Sequence, residues 1–351
     1  MKMKKLLGCF LVLLLLMSCS GNNTEGVADA PTVTDPPNNE ADVDNAEWVV
    51  DTPENHGMNT DLLNNAADQV SKIAVRQGFV VIRDGVLIYE KYYYGDKDTK
   101  NIAYSVTKSF GATLVGIAYT MGLLDLDDPV SKWIDKQNSA ISKNATIRHL
   151  LTQTSKGDTP GSTFKYNSGA VVNTLSAIVS KASGMKSEDF AKKYLMDPIG
   201  ITDYVWSPDN EGNVHFGAGI LASCRDLARL GQMYLNGGTW KGKTIISKKF
   251  IDEAIKPQFP EANAGYGFLW WLNQDAGTWH TALGLLAKTG TGRMIPGAPA
   301  NSYRAHGFFG QMIHVIPDLK IVAVSMGTTP NLESWYTNNE FWEAIAPCMP
   351  K

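Results

Sequence analysis

This chain of 351 residues lacks the sequence features that mark membrane-spanning, metal-binding and nucleic-acid-binding proteins. Its longest apolar run has about 12 residues, too few to cross a hydrocarbon core of about 30 Å as a helix. The six histidines form no His-x-His, His-Glu-x-x-His or mixed Cys/His cluster, so we expect no metal site. Lysine and arginine form no tract or stripe, which argues against nucleic-acid binding. The composition, 44% apolar and 19% charged residues, is typical of one large globular domain.

Basic residues are absent from a long N-terminal stretch. Residues 1–18 hold three lysines and no acid, whereas residues 19–71 hold eleven acids and no lysine or arginine. Residues 72–351 therefore carry 29 bases and 24 acids, a formal charge of +5. The formal charge of −3 for the whole chain thus combines an acidic N-terminal part with a mildly basic body.

Residues 1–18 have the layout of a bacterial signal peptide. Basic Met1–Lys5 precedes apolar Leu6–Met17, and Leu16-Met17-Ser18-Cys19 resembles the lipobox of bacterial lipoproteins. This resemblance implies cleavage before Cys19 and lipidation of its thiol, which would hold the protein in the cell envelope. Ser20 after the cysteine favours the outer membrane. An ordinary secretory signal with an incidental cysteine is the alternative.

Residues 19–46 contain hardly any large apolar residue and are too polar to fold, so we predict a flexible acidic tether. Of the four cysteines, Cys9 would leave with the signal and Cys19 would carry the lipid. Cys224 and Cys348 remain, and they could form one disulfide in an oxidising compartment or stay as two buried thiols. Their spacing does not decide between these alternatives.

Two hairpin patterns lie near the two ends of the remaining chain. Residues 78–93 are two runs of β-branched and aromatic residues joined by Asp84-Gly85, and residues 311–326 are two further runs that turn at Pro317-Asp318. Mostly helical segments lie between them. This order predicts an α/β (α+β) fold, in which N- and C-terminal strands form one antiparallel sheet flanked by helices, with an inserted, mostly helical subdomain.

We assign residues 47–351 to one domain with two lobes. The sheet lobe comprises about 47–110 and 265–351, and the helical lobe about 111–264. A cleft between two such lobes is a usual place for a functional site.

A Ser-x-x-Lys spacing occurs three times, at Ser105/Lys108, Ser162/Lys165 and Ser183/Lys186. Only the first opens a segment with one apolar helical stripe, made of Phe110, Leu114, Ile117 and Met121. Because residues three apart share a helix face, the Lys108 amine can reach the Ser105 hydroxyl. A serine hydroxyl needs such an adjacent base to become a nucleophile, and lysine serves as one when burial and a helix N-terminus lower its pKa. A capping serine beside a solvated lysine is the alternative.

The stretch Tyr104-Ser105-Val106-Thr107-Lys108-Ser109, with residues 124–130 after it, resembles the class C β-lactamase-like serine hydrolases. That superfamily includes low-molecular-weight penicillin-binding proteins, D-Ala-D-Ala carboxypeptidases, family VIII esterases and 6-aminohexanoate-dimer hydrolases. The resemblance extends over roughly residues 70–330 and includes the segments 147–152, 225–229 and 266–271.

The resemblance implies a second motif, Tyr-x-Asn, whose tyrosine exchanges protons with the serine and the leaving group. Tyr166-Asn167-Ser168 matches its start, with Ser168 in place of the usual asparagine. A hydroxyl is shorter than an amide and cannot donate and accept in the same way, so the orientation of Lys108 or of the substrate is expected to differ. A packing aromatic beside a helix start is the alternative for Tyr166.

A third motif, Lys-Thr-Gly, opens a strand beside the site in the family, and the strand's backbone supplies an oxyanion donor. Lys288-Thr289-Gly290 matches literally, but the two prolines and further glycines after it argue against a central strand. Ala305-His306-Gly307 leads into an apolar run instead. We therefore assign His306-Gly307 to this role, with the backbone N–H of Phe308 as the second oxyanion donor, and Lys288-Thr289-Gly290 to a loop at the rim.

This assignment removes a lysine from the strand, because Ala305 stands where the motif has one. The cation that would hold the carboxylate of a β-lactam or a D-Ala-D-Ala peptide is then missing unless another base supplies it. We also expect Trp270 or Trp271 to line an apolar pocket, although adjacent aromatics also occur in cores.

The sequence thus predicts a lipid-anchored serine hydrolase that cleaves ester or small amide bonds through an acyl-enzyme and needs no cofactor. Ser105 would attack, Lys108 and Tyr166 would carry protons, and the N–H groups of Ser105 and Phe308 would hold the oxyanion. A penicillin-interacting enzyme and a non-catalytic envelope binding module remain open as alternatives. No Gly-x-Ser-x-Gly is present, so an α/β-hydrolase nucleophile elbow is not a serious rival.

Overall fold

The two hairpins expected from the sequence form four adjacent strands of the main sheet. In the computed structural model the first consists of β1 (Val75–Arg83) and β2 (Val86–Tyr92), and the second of β12 (Gln311–Ile316) and β13 (Ile321–Thr328). Asp84 and Gly85 have φ values of 51° and 82°, the left-handed conformation that a two-residue hairpin turn requires. The chain turns again at Pro317–Leu319. Both hairpin predictions are confirmed.

The structure describes residues 47–73, 75–135, 138–167, 169–281, 287–328 and 339–350, all within one unit of the chain. The predicted signal peptide, Cys19 and the tether lie outside these residues. Within them, no helix has the length and apolar character needed to cross a bilayer.

Strands from both ends of the described chain build a six-stranded antiparallel sheet. Its order is β2-β1-β13-β12-β11-β8, where β11 is Tyr303–Gly307 and β8 is Trp271–Leu272. The smaller sheets are formed by short strands: β3 (Asn101–Ile102), β4 (Val205–Trp206), β5 (Ile220–Ala222), β6 (Thr239–Trp240), β7 (Lys243–Thr244), β9 (Thr278–His280) and β10 (Thr289–Thr291). The predicted fold class is confirmed.

Helices cover both faces of the main sheet. In the sequence, most of them lie between the N-terminal and the C-terminal strands of that sheet. They are α1 (Thr60–Ile73), α2 (Thr107–Thr120), α3 (Val130–Trp133), α4 (Ile147–Leu151), α5 (Ala170–Ser183), α6 (Ser187–Ala191), α7 (Cys224–Leu235), α8 (Lys248–Ala254), α9 (Pro260–Asn263) and α10 (Asn339–Ile345). Helix α2 packs against α5 and α8, and every residue from Thr107 to Ala118 is buried.

The sheet separates two apolar cores, because successive residues of a strand point to opposite faces. Val80 and Ile82 of β1 belong to the core that contains α2 and α7, whereas Phe79 and Val81 belong to the core beneath α1 and α10. Burial of each such side chain contributes about 1.5–3 kcal/mol. The main sheet is therefore anchored on both faces.

Helix α7 lies against this sheet, although its residues fall within the stretch assigned to the helical lobe. A Cβ on Gly231 would come within 2.6 Å of Val322 Cγ1, so glycine is needed where the helix crosses β13. Cys224, the first residue of α7, is buried and lies 3.3 Å from Gln77 Oε1, and Cys348 is buried beside Ile345. Both thiols are free, so the disulfide is not formed.

Candidate active site

Ser105 and Lys108 meet at the start of α2. Ser105 lies in a single helical turn, Tyr104–Val106, that runs directly into α2, and Lys108 is the second residue of that helix. The Nζ of Lys108 is 2.9 Å from the Ser105 Oγ and also donates to the Gly217 carbonyl at 2.7 Å. The spacing of three residues thus places both groups in hydrogen-bond contact.

Burial changes the chemistry of Lys108. Its side chain is only 1% exposed, and loss of hydration disfavours the charged ammonium, which lowers its pKa to about 7. A substantial fraction of the amine is therefore neutral near pH 7. A neutral amine 2.9 Å from a hydroxyl can accept its proton as a general base.

Tyr166 lies over the same lysine. The Lys108 Nζ is 4.8 Å from the centroid of the Tyr166 ring. That ring stacks on Trp271 with centroids 5.6 Å apart and meets the buried Tyr266 edge-on at 6.2 Å. The three predicted catalytic side chains, those of Ser105, Lys108 and Tyr166, are thus brought together.

The end of β11 lies directly against Ser105. A Cβ placed on Gly307 would fall 2.4 Å from the Ala103 carbonyl oxygen and 3.2 Å from the Ser105 backbone nitrogen, so only glycine fits here. Phe308 follows at once, and its ring contacts Tyr104 with centroids 5.8 Å apart. Phe308, the second residue assigned to the oxyanion hole, therefore directly follows the residue whose backbone lies against that of Ser105.

A buried arginine holds the turn that follows. Arg76, on β1, is 5% exposed and donates to the carbonyl oxygens of Phe309 and Gly310, each at 2.7 Å. Burial lowers the pKa of its guanidinium to about 10, so it remains charged at neutral pH. Phe309 has a φ of 60°, a left-handed conformation that a bulky residue adopts only when its surroundings hold it there.

The two candidate third motifs occupy different parts of the fold. Among the described residues, Thr289 and Gly290 lie on β10, which pairs with β9 in a two-stranded ribbon, and Lys288 before them is exposed. Ala305, His306 and Gly307 lie on β11 in the main sheet. Gly307 of the second motif lies beside Ser105.

The His306 side chain faces the other side of the sheet. Its partner on β12 is Met312, which belongs to the core beneath α1 and α10, whereas Ala305 faces the core of α2. Burial, with the charges of Arg304 and Arg76, lowers the pKa of His306 to about 3. The imidazole is therefore neutral, and the part of β11 that meets Ser105 is its backbone.

The two tryptophans also differ in position. Trp271 supports Tyr166, whereas Trp270 is fully buried and packs on Tyr234 and Tyr303, with centroids 4.6 and 5.4 Å away. Ser168 lies outside the described residues. No group of three or more His, Cys, Asp or Glu side chains suited to a metal ion occurs in the described part of the chain.

No sequence motif indicated that two of the residues at the site, Arg76 and Gln153, belong to it. Arg76 is one of many bases, and Gln153, which holds the loop of Tyr166, follows α4 without any motif. Both are buried polar side chains bonded to the backbone of a distant segment. A motif search cannot find such pairs, because their sequence separations, 234 and 14 residues, follow only from the fold.

Comparison with known proteins gives concordant results. A family model described as Beta-lactamase matches residues 66–345. The 6-aminohexanoate-dimer hydrolase of Paenarthrobacter ureafaciens is 22% identical over 234 residues, which are 54% of this chain and 59% of that protein.

Solved structures share the fold. A putative beta-lactamase from Bacteroides dorei has a TM-score of 0.66 at 17% identity, covering 83% of this chain and 99% of that one. A family VIII carboxylesterase has a TM-score of 0.65 at 15% identity, covering 86% and 98%.

Proposed function

Because the chain belongs to the β-lactamase family of serine hydrolases, we propose that it cleaves ester or small amide bonds through an acyl-enzyme on Ser105. The observation that carries this proposal is the contact of 2.9 Å between Ser105 Oγ and the buried Lys108 Nζ, whose pKa is lowered to about 7. Nucleophile and base are therefore in contact, and the base is partly neutral near pH 7.

In the first half-reaction, Ser105 Oγ attacks the substrate carbonyl carbon while its proton passes to Lys108 Nζ. The carbonyl oxygen becomes an oxyanion, which the backbone N–H groups of Ser105 and Phe308 hold. Tyr166 then donates a proton to the leaving alcohol or amine, and the bond to that group breaks. The proton is returned to Tyr166 from Lys108.

In the second half-reaction, water attacks the acyl carbon of the ester on Ser105. Lys108 and Tyr166 take its proton and return one to Ser105 Oγ, so that free enzyme and a carboxylic acid result. Every proton is moved by side chains of the chain itself, so the cycle requires no cofactor.

Esters and small amides are favoured over β-lactams by the environment of β11. With His306-Gly307 assigned as the third motif, Ala305 on β11 stands where that motif has a lysine, and Lys288 directly precedes β10 of the separate ribbon. A substrate without a carboxylate does not need this cation for binding. A β-lactam would lack the cation expected to bind its carboxylate.

The decisive experiment is a substrate panel with the purified protein and its Ser105→Ala variant. We expect turnover of short p-nitrophenyl esters by the wild type, little turnover of a chromogenic cephalosporin, and no turnover of any of them by the variant. A fluorophosphonate should form one adduct, on Ser105. Activity retained without Ser105, or an adduct on another residue, would overturn the assignment, and failure to react with anything would favour a binding module.

The membrane connection is a further part of the proposal and rests on the lipobox-like segment before Cys19. Lipidation there would place the hydrolase in the bacterial cell envelope, on a tether of residues 19–46. Cell fractionation tests it: the wild type should sediment with membranes, and Cys19→Ala should not become lipidated. Release of the wild type in soluble form would contradict it.

A further inference from the structure

Tyr166 lies on a segment without regular secondary structure, so another part of the molecule must hold it. The residues on both sides of Tyr166, Lys165 and Asn167, bond to the same residue, Gln153. The Lys165 N–H donates to the Gln153 carbonyl at 2.9 Å, and the Asn167 N–H donates to the Gln153 side-chain oxygen at 2.6 Å. The Gln153 amide nitrogen donates back to the Asn167 carbonyl at 3.3 Å.

Gln153 is itself held firmly. Its side chain is 2% exposed, and its φ of 60° is left-handed, a conformation that costs free energy for any residue with a Cβ. Two of its three bonds to the tyrosine loop use the side-chain amide, which donates and accepts at once. A residue kept in a strained conformation to make such bonds is typical of a functional site.

Hydrogen bonds also connect this region to the nucleophile helix. Leu151, two residues before Gln153, accepts at its carbonyl from the Leu269 N–H at 2.9 Å, and the Leu269 carbonyl accepts from Ser109 Oγ at 2.8 Å. Ser109 lies one residue after Lys108 on α2. Leu269 also has a left-handed φ, 58°. Leu269 therefore links the segment that precedes Gln153 to helix α2.

We propose that Gln153 is a positioning residue for Tyr166, one that holds the phenol where it can protonate the leaving group. This rests on the proposed function, in which Tyr166 is the proton donor. The side-chain amide holds the loop after Tyr166 through two bonds to Asn167, and the Gln153 carbonyl holds it before Tyr166 through Lys165. The bonds of Gln153 to this loop all go to backbone groups of Lys165 and Asn167, so in this proposal it acts through the position of Tyr166.

The role predicts a dependence on the leaving group. A p-nitrophenolate leaves without a proton, whereas an alkoxide does not, so only the alkyl ester needs a correctly placed acid. General acid–base catalysis contributes on the order of 10²- to 10⁴-fold. For Gln153→Leu we expect kcat/KM to fall by roughly 10- to 100-fold on an alkyl ester and by less than about 3-fold on the p-nitrophenyl ester of the same acyl group.

A second variant that keeps the shape of the side chain tests the role even if Gln153→Leu does not fold. Gln153→Glu keeps the shape of the side chain, but an ionised carboxylate accepts only and would face the Asn167 carbonyl. We expect the same selective loss on the alkyl ester at neutral pH. The ratio of variant to wild-type activity on that ester should recover at lower pH, where the protonated carboxyl group can donate again.

The matched control is Gln232→Leu. Gln232 is a buried glutamine on α7 whose amide donates to the Asn236 side chain at 2.9 Å. Gln232→Leu should change kcat/KM by the same factor for both esters, or leave it unchanged for both. Fluorophosphonate labelling and melting temperature, measured on each variant, report whether the site is intact.

Equal losses on the two esters, or no loss, for both Gln153 variants would overturn the positioning role. If Ser105→Ala remains active, the proposed function fails as a whole. If Ser105→Ala is inactive and the Gln153 variants show no leaving-group selectivity, only the inference about Gln153 fails.

Discussion

The two sides of Ser105 are held in place by different means. On the proton-transfer side, Tyr166 lies on a loop that a neutral amide, Gln153, and stacked aromatic rings support. On the proposed oxyanion side, the assigned donors are backbone groups, and a buried cation, Arg76, holds the turn after them. A fixed charge suits the second side, because it favours an oxyanion, whereas the first side must keep Lys108 neutral.

The comparison also explains where strain is located. Of the described non-glycine residues with positive φ, Tyr104 and Phe309 flank the oxyanion side, and Gln153 and Leu269 support the proton-transfer side. The others are at Asp84, Lys241 and Lys320. Left-handed backbone is thus used on both sides, although the groups that stabilise it differ.

Removal of Lys108 tests the proton-transfer side and should have the largest effect. Lys108→Met is expected to lower kcat/KM by at least about 10³-fold, because the serine loses its base. It should also stabilise the fold at neutral and acidic pH, since a buried ammonium is removed. Activity assays and denaturant unfolding of both proteins check this.

The pH dependence of that stabilisation has a definite sign. The folded pKa of Lys108, about 7, lies below the value of about 10.4 for an unfolded chain, so the unfolded state binds more protons between these pH values. Wild-type stability therefore rises with pH across this window. The advantage of the Met variant should be largest below pH 7 and shrink toward pH 10, and a constant difference would contradict the assigned pKa.

The wild-type rate should follow the same titration. Only the neutral amine accepts the serine proton, so kcat/KM should rise about tenfold per pH unit below pH 7 and level off above it. A pH–rate profile with a neutral ester measures this directly. A profile that stays flat from pH 5 to 8 would exclude Lys108 as the base.

Gly307→Ala tests the oxyanion side. A Cβ there would lie 2.4 Å from the Ala103 carbonyl oxygen, so β11 must move away from Ser105. Loss of one oxyanion donor costs on the order of 10²- to 10³-fold in kcat. We expect a loss of that size, with KM changed little, and a lower melting temperature. Unchanged kcat would mean that β11 supplies no donor.

Arg76→Met should have a smaller effect on the same side. The turn loses two hydrogen bonds and a charge but keeps its backbone donors, so we expect kcat to fall by roughly 10-fold, with an intermediate value for Arg76→Lys. Arg83→Met, at the other end of β1, is the matched control. Steady-state kinetics of all three variants should separate them, and equal losses for Arg76→Met and Arg83→Met would indicate a general effect on the sheet.

The smallest effect is expected at the literal third motif. Lys288→Ala removes an exposed base from the ribbon of β9 and β10 and should change kcat/KM for a neutral ester by less than about 2-fold. The same variant assayed on a cephalosporin tests whether Lys288 binds a substrate carboxylate. A loss of kcat/KM for the cephalosporin alone would mean that it does.

Local patterns in the sequence predicted much of the fold and part of the site. The hairpin at Asp84-Gly85 follows from the turn residues themselves, and the contact of Ser105 with Lys108 follows from the helical repeat. The rejection of Lys288-Thr289-Gly290 as a central strand also followed from sequence, because prolines and glycines disfavour such a strand. The strand expected directly after Gly307 was wrong at its start, because β11 ends at Gly307 and the turn Phe308–Gly310 precedes β12. The sequence did not predict the side of the sheet to which His306 points. It also did not predict that Trp270 and Trp271 lie in different environments.

What the sequence determined by itself was therefore local: which segments become strands and helices, and which serine and lysine share a helix face. Hydrogen-bond geometry and side-chain sterics over a few residues decide these features. The tertiary structure alone decided that burial lowers the pKa of Lys108, that Gly307 meets Ser105, and that Gln153 and Arg76 hold the two sides of the site. Desolvation and close packing depend on segments far apart in the chain, and no local pattern records which of them will meet.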